Sequence, residues 1–184
     1  MQAQETVFIT LLGPTNVGKE KFALVYCTGK FWETYKPQAT EGSRKLVQLR
    51  NINLMVEFYD AMDPRNRPTL LLDCAAYLLI YAINSKASFQ QMENIHQTIL
   101  KNTNHQRVVP TILIGNKCDL EAHREVKITE GFELSKKKGW EFYETSAKYG
   151  ANIASVVTNI LENGLLNIDE HDRKGYEHKK CVIC

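Results

Sequence analysis

A short glycine-containing stretch near the start of the chain constrains the fold more than any other feature. It reads GPTNVGKE over residues 13–20, follows an apolar, β-prone run at 6–12, and precedes a segment at 21–26 that can continue as a helix. In this strand–loop–helix order, backbone N–H groups turn inward to form a nest for phosphate, and the positive end of the helix dipole lies behind them. The stretch therefore predicts a phosphate-binding loop. The alternative is a plain strand–turn–helix with two turn glycines and a chance lysine.

The residues of this loop have separate predicted roles. Gly13 and Gly18 can adopt backbone angles that are barred to other residues, and Lys19 would reach the β- and γ-phosphates of a nucleotide. The pattern G-x-x-x-x-G-K-[ST] fails at its last position, because Glu20 stands where a hydroxyl should hold Mg²⁺. The predicted phosphate-binding residues are Gly13, Thr15, Asn16, Val17, Gly18, Lys19 and Glu20.

Composition places the chain among ordinary globular proteins. Its 184 residues suit one domain, and 43% hydrophobic and 24% charged residues are typical of a soluble protein. The net charge of +2 gives no reason to expect a nucleic acid as partner. Five unevenly spaced cysteines do not indicate a disulfide framework, so we expect a reducing cytosol. We expect neither a membrane span nor a secretory signal.

Strand and helix patterns alternate along the remaining chain. Alternation of this kind predicts right-handed β-α-β units, a mostly parallel sheet covered by helices on both faces, and ligands at the carboxyl ends of the strands. The predicted strands lie at 6–12, 45–50, 52–59, 74–83, 108–114 and 140–143, with a tight turn at Asn51 between the second and third. The predicted helices beyond the phosphate loop lie at 85–101, 128–138 and 153–166.

Two further motifs follow predicted strands. In Asn116-Lys117-Cys118-Asp119, the carboxylate of Asp119 can accept hydrogen bonds from guanine N1–H and the 2-amino group, a pair of donors that adenine lacks. The stem of Lys117 can cover a face of the base, and the backbone N–H of Ala147, within Ser146-Ala147-Lys148, could meet O6. Alone, the first motif could be an ordinary polar loop. Together with the phosphate loop it indicates guanine nucleotide and disfavours an adenine-nucleotide enzyme.

With these three motifs in this order, the chain resembles the small GTPases of the Ras superfamily from about Thr6 to about Asn167. The resemblance implies an α/β P-loop NTPase fold, a three-layer α/β/α small G domain over 1–167 with a six-stranded, mostly parallel sheet, followed by a flexible tail over 168–184. It implies GTP or GDP as the ligand, and Phe31 resembles the aromatic that stacks edge-on to guanine. The implied guanine-binding residues are Phe31, Asn116, Lys117, Asp119, Ser146, Ala147 and Lys148.

The chain departs from the family at the metal site. The family holds Mg²⁺ with two hydroxyls, and this chain has Glu20 and Gln38 at those positions, with Thr40 usable only after a shift of register. Asp60 matches the aspartate at the end of the family's third strand. The predicted metal residues are thus Asp60 and Glu20, and Mg²⁺ binding is weakened. The carboxylate of Glu20 either ligates the metal or repels the β-phosphate.

The hydrolytic residues also differ, so no catalytic residue is assigned. Pro64 replaces the glutamine that orients the attacking water, and Asp63 replaces the glycine whose N–H senses the γ-phosphate. Proline offers neither a side-chain acceptor nor a backbone donor, so hydrolysis is expected to be very slow or absent. Arg65 and Arg67 could offset the charge of Glu20, although a solvated surface loop is the favoured interpretation.

The resemblance extends in part to an effector-binding region, where Tyr35, Pro37, Gln38 and Glu41 are the candidate residues. Lys36 reverses a charge that is usually acidic, so ordinary Ras effectors should bind poorly. The alternative is a sheet connection without any partner.

The last four residues, Cys181-Val182-Ile183-Cys184, have the prenylation pattern. One prenyl group on Cys181 would give reversible attachment to the cytoplasmic face of the plasma membrane or an endomembrane, leaving the protein partly cytosolic. A Cys₂His₂ zinc site formed with His171, His178 and Cys184 is the alternative.

Two functions are compatible with these features. The first is a monomeric, membrane-attached signalling switch that binds GTP and GDP, hydrolyses slowly, and contacts effectors or regulators that the sequence does not identify. The second is a pseudo-GTPase scaffold that binds protein partners without nucleotide turnover.

Overall fold

The computed structural model describes residues 5–33, 43–49, 51–60, 74–102 and 109–166. The predicted tail, residues 168–184, lies outside these ranges. The strands are β1 (Glu5–Leu12), β2 (Arg44–Leu49), β3 (Ile52–Asp60), β4 (Ala76–Ala82), β5 (Thr111–Asn116) and β6 (Glu141–Thr145). The helices are α1 (Lys19–Thr28), α2 (Lys86–Gln90), α3 (Met92–Asn102), α4 (Ile128–Lys138) and α5 (Ile153–Leu166), with a 3₁₀ segment at Cys118–His123.

The strands form one six-stranded sheet in the order β2-β3-β1-β4-β5-β6. Every neighbouring pair is parallel except β2 and β3, which are antiparallel and joined through Asn51 in a left-handed conformation, φ +68°. The predicted mostly parallel sheet is therefore confirmed. Leu11 pairs with Asp60, and Asn116 pairs with Thr145, so the carboxyl ends of neighbouring strands meet at one edge.

The central strand β4 is buried on both faces, which explains its near-continuous apolar sequence. Leu78 and Ile80 point into one cluster, together with side chains of α1 and α5 such as Phe22 and Val156. Leu79 points into a second cluster on the opposite face, beneath α3. Helices therefore cover both faces of the sheet, and the predicted three-layer α/β/α architecture is present.

The predicted helix at 85–101 is two helices, interrupted at Gln91. Buried Ser88 explains the short first helix, because its hydroxyl accepts the N–H of Ala82 at 3.1 Å and donates to the carbonyl of Ser85 at 2.7 Å. These bonds fix α2 to the end of β4, and α3 begins again at the fully buried Met92. Periodicity alone does not reveal this break, because the apolar face continues through it.

All six strands are shifted from their predicted bounds, by one to three residues at one end or at both. β5 continues to Asn116 and β6 to Thr145, beyond the predicted ends at 114 and 143, because these two residues pair in register. Helices α4 and α5 have the predicted bounds. Within the described ranges, no helix is long and apolar enough to cross a bilayer.

Candidate functional site

The two glycines of the phosphate loop are required by both backbone angle and space. Gly13 has φ +147°, and a Cβ there would lie 2.1 Å from the backbone oxygen of Ile80 in β4. Gly18 has φ +96°, and a Cβ there would lie 2.5 Å from Nδ2 of Asn116. Any larger residue would therefore be strained and would collide with its neighbours. The loop consequently rests directly on the ends of β4 and β5.

Lys19 is folded back over this loop and is only 7% exposed. Its Nζ donates to the carbonyl oxygens of Gly13 at 2.6 Å and Pro14 at 2.9 Å. The carboxylate of Asp60, at the end of β3, lies 3.6 Å from the same nitrogen. The ammonium group is thus held at the strand ends, where the fold places ligands.

The remaining loop residues divide between solvent and core. Thr15 and Asn16 are exposed, while Val17 is buried and anchors the loop. Glu20 is exposed in the first turn of α1, where the helix dipole favours a negative charge. Glu20 belongs to α1, as Lys19 does, and Asp60 ends β3 beside the Lys19 ammonium; both carboxylates are hard oxygen donors of the kind that Mg²⁺ takes.

Asn116 connects three segments through one buried amide. The residue is 1% exposed, its Nδ2 donates to the carbonyl oxygen of Val17 at 2.8 Å, and its Oδ1 accepts from Thr145 Oγ1 at 3.1 Å. The phosphate loop and the ends of β5 and β6 are therefore tied together at one residue. The sequence indicates no role for Thr145, whose only signal is its position shortly after a predicted strand and directly before Ser146.

The loop after β5 is also joined to the phosphate loop and to the loop after β6. Lys117, with φ +65°, donates from Nζ to the carbonyl oxygen of Asn16 at 2.6 Å. The hydroxyl of Ser146 donates to Oδ1 of Asp119 and accepts the N–H of Tyr149 at 3.3 Å. The carboxylate of Asp119 is thereby oriented by a fixed hydroxyl. Ala147 is buried and Lys148 is exposed.

Arg124 joins the segment that follows β5 to strand β6. Its Nη1 and Nη2 donate to the two carboxylate oxygens of Glu144 at 2.7 and 2.9 Å, and Nη1 also donates to the carbonyl of Val126 at 2.9 Å. A two-bond contact of this kind fixes orientation as well as charge.

Burial, together with the nearby carboxylates of Glu144 and Asp119, raises the pKa of the Cys118 thiol, so this thiol is protonated at neutral pH.

Phe31 lies beyond α1 and is half-buried against the core cluster that includes α1 and α5. Several predicted residues fall outside the described ranges. They are the effector candidates Tyr35, Pro37, Gln38 and Glu41, the altered residues Asp63 and Pro64 with Arg65 and Arg67, and Cys181 with its alternative zinc partners His171, His178 and Cys184. Within the described residues, no group of three or more His, Cys, Asp or Glu side chains could hold a metal ion.

Comparison with known proteins agrees with this geometry. The sequence profile of the Ras family matches residues 8–165. The chain belongs to the Ras family. It is similar to Ras-like protein rasS of Dictyostelium discoideum, with 32% identity over 150 residues that cover 79% of this chain and 77% of the relative. It is also similar to Ras-like protein 2 of Mucor circinelloides f. lusitanicus, with 27% identity over 184 residues that cover 96% of this chain and 91% of the relative.

Family membership confirms the resemblance that the three motifs indicated. Ras-family proteins are small GTPases that bind guanine nucleotide, usually with Mg²⁺, and act as signalling switches. Guanine nucleotide and effector or regulator proteins are therefore the partners expected of a member.

Proposed function

We propose that this Ras-family protein is a guanine-nucleotide-binding switch that hydrolyses GTP very slowly or not at all. The observation that carries the binding half of this proposal is the buried amide of Asn116. Because it joins the phosphate loop to the loops after β5 and β6, the groups for phosphate and for base are held in one fixed arrangement. A site organised before the ligand arrives loses less ordering entropy on binding.

Selectivity for guanine is assigned to Asp119 and Ala147. The hydroxyl of Ser146 holds the carboxylate of Asp119, which can then accept the two adjacent donors of guanine, N1–H and the 2-amino group. A bound adenine would cover this carboxylate without supplying those donors, and the unpaired acceptor would disfavour it. The N–H of Ala147 is assigned to O6, and Lys117, anchored on Asn16, to a face of the base.

Glu20 and Asp60 would hold Mg²⁺ in this site, because both are hard oxygen donors, Glu20 directly follows Lys19 in α1, and the carboxylate of Asp60 lies 3.6 Å from the Lys19 ammonium. When bound, the ion neutralises negative charge on the phosphates. Glu20 adds a negative charge of its own where the family has a neutral hydroxyl. The complex of nucleotide with Mg²⁺ should therefore bind more weakly than it would with the family's hydroxyl at this position.

Loss of turnover is assigned to Pro64 and Asp63, since phosphoryl transfer depends on positioning of water and on charge neutralisation. Proline has neither a polar side chain nor a backbone N–H with which to orient a water molecule. The aspartate adds a negative charge where the family has a glycine N–H. Neither change involves the hydrogen bonds of Asn116, so binding and hydrolysis are separable.

The test is to identify the nucleotide carried by the purified full chain and then titrate GDP, GTP and ADP with and without Mg²⁺. We expect a clear preference for guanine, and single-turnover GTP hydrolysis too slow to distinguish from the uncatalysed rate. Asp119→Asn is the matched variant, because an amide donor suits a base with a carbonyl at position 2. It should weaken GDP and strengthen xanthosine diphosphate.

Each half of the proposal has its own refutation. No preference for GDP over ADP would refute the binding function and favour the pseudo-GTPase scaffold. Mg²⁺-dependent turnover at the rate of ordinary Ras proteins would refute the loss of hydrolysis. Replacing Glu20 by serine provides the metal test, since it restores the family's hydroxyl and should strengthen binding of the complex of nucleotide with Mg²⁺.

Attachment to the cytoplasmic face of a membrane is part of the same proposal. A single prenyl group on Cys181, at the end of a tail over 168–184, would attach an otherwise monomeric G domain reversibly. Cys181→Ser should move the protein from the membrane to the cytosolic fraction. If zinc were the true ligand of Cys181, the purified tail-containing protein would carry stoichiometric zinc instead.

A further inference from the structure

The segment after α1 reverses and runs back toward the phosphate loop. Gly29, with φ +69°, ends the helix and donates its N–H to the carbonyl oxygen of Val25 at 2.8 Å. Lys21 and Thr28 are about 10 Å apart along the axis at 1.5 Å per residue. The four residues from Gly29 to Trp32 can span at most about 14 Å. Because Trp32 contacts the side chain of Lys21 in the first turn of α1, the segment turns back toward the start of the helix instead of continuing in its direction.

Lys21 makes that contact. Its Nζ donates to the carbonyl oxygen of Trp32 at 2.5 Å and lies 5.9 Å from the centroid of the Phe31 ring. Lys21, Phe31 and Trp32 are all half-buried, so both the charged hydrogen bond and the cation–π contact are stronger than they would be in open water. One side chain thus holds both residues of the returning segment.

The location of this contact connects it to the nucleotide site. Lys21 lies two residues after Lys19 in the first turn of α1, so it is fixed to the same helix end that supports the phosphate loop. Phe31 is the residue assigned to the edge of the guanine. Lys21 therefore connects Phe31 to the helix end that supports the phosphate loop, and it belongs neither to the residues assigned to the base nor to those assigned to the phosphates.

We propose that Lys21 is a positioning residue that holds Phe31 at the guanine nucleotide and thereby slows nucleotide release. This inference rests on the proposed function, because it requires that guanine nucleotide binds. The lysine acts through Phe31 and the Trp32 carbonyl, and not by touching the nucleotide. Its loss should accelerate dissociation while leaving the preference for guanine over adenine unchanged.

The experiment measures release of N-methylanthraniloyl-GDP from the full chain after addition of excess GDP. Lys21→Met keeps the apolar stem and removes the charge, and should release nucleotide about tenfold faster, which corresponds to about 1.4 kcal/mol. Lys21→Arg retains donors and can stack on an aromatic ring, so it should stay within about twofold of the original rate. Lys30→Met is the control, because it removes an exposed positive charge from the same segment.

A double-mutant cycle separates positioning from direct contact. Phe31→Leu should also accelerate release, and if Lys21 works through Phe31, adding Lys21→Met to Phe31→Leu should produce little further increase. Multiplication of the two effects would mean that the lysine acts on the nucleotide by itself, and would overturn the inference.

A spectroscopic reading reports the segment directly. In a Trp140→Phe background, Trp32 is the single tryptophan. Acrylamide should quench the fluorescence of Trp32 more strongly in Lys21→Met, and not in Lys21→Arg or Lys30→Met. The circular dichroism spectrum and the thermal midpoint of each variant should be unchanged. Equal release rates for Lys21→Met and the original protein would refute this inference alone. Failure of the original protein to bind GDP would refute the proposed function and this inference together.

Discussion

Replacing Asn116 by alanine should destabilise the protein far more than an ordinary substitution in a loop. The change leaves two buried groups without partners, the carbonyl oxygen of Val17 and the hydroxyl of Thr145, the latter in a residue with no exposed surface. Each buried polar group left unpaired costs about 1–3 kcal/mol. We therefore expect the free energy of unfolding to fall by about 4 kcal/mol, within a range of about 2–6 kcal/mol.

Thr145→Val is the matched variant, because it removes one hydroxyl and keeps the shape of the side chain. It leaves only Oδ1 of Asn116 unpaired and should cost about 1–3 kcal/mol. The double variant leaves only the carbonyl oxygen of Val17 unpaired, so it should cost about 1–3 kcal/mol in total. Adding Asn116→Ala to Thr145→Val should therefore change stability much less than Asn116→Ala does alone.

The assay is urea unfolding of nucleotide-free protein, followed by far-ultraviolet circular dichroism. Nucleotide must be removed because any ligand that binds only the folded state adds its own stabilisation. A loss below about 0.5 kcal/mol for Asn116→Ala, which is the scale of a neutral surface change, would refute the reasoning. Strict additivity of the two variants would show that the bond between these side chains contributes nothing.

Two further predictions concern packing and pH. Gly13→Ala should lower the free energy of unfolding by about 2–5 kcal/mol, since it combines left-handed strain with a collision against the Ile80 carbonyl. Gly29→Ala, where φ is +69° and a Cβ would meet nothing within 4 Å, should cost only about 1–2 kcal/mol; equal thermal shifts would contradict the collision. Burial, and secondarily the charge of Lys138, lowers the pKa of His96, whose ring lies 4.7 Å from that of Trp140. The unfolded chain then binds the proton more readily, so stability should fall as pH drops through about 6.5. His96→Phe should flatten that part of the urea-midpoint profile, and an unchanged profile would exclude His96 as its source.

Much of the architecture could be predicted from the sequence, because it depends on repeated patterns. Burial on both faces gives β4 its apolar run, and the bounds of α4 and α5 follow from helical periodicity and from Gly139 after α4. The order of the three motifs was enough to indicate the family. These features can be predicted because many residues contribute to each of them.

The missed features depend on single polar contacts between distant residues. The break at Gln91 depends on buried Ser88, whose bonds reach back to β4. The role of Thr145 depends on its register with Asn116, and the contact of Lys21 with Trp32 depends on how the chain returns after Gly29. A periodic pattern carries no information about which buried donor meets which acceptor, so these contacts appear only in three dimensions.

The amide of Asn116 has a consequence for how a protein like this one can change over generations. Asn116 connects the phosphate loop with the ends of β5 and β6, and these three segments contain neither Asp63 nor Pro64. Substitutions at Asp63 and Pro64 remove neither partner of these two hydrogen bonds, whereas a change at Asn116 removes both bonds in a single step. Family members that hydrolyse GTP and members that do not can therefore share one scaffold.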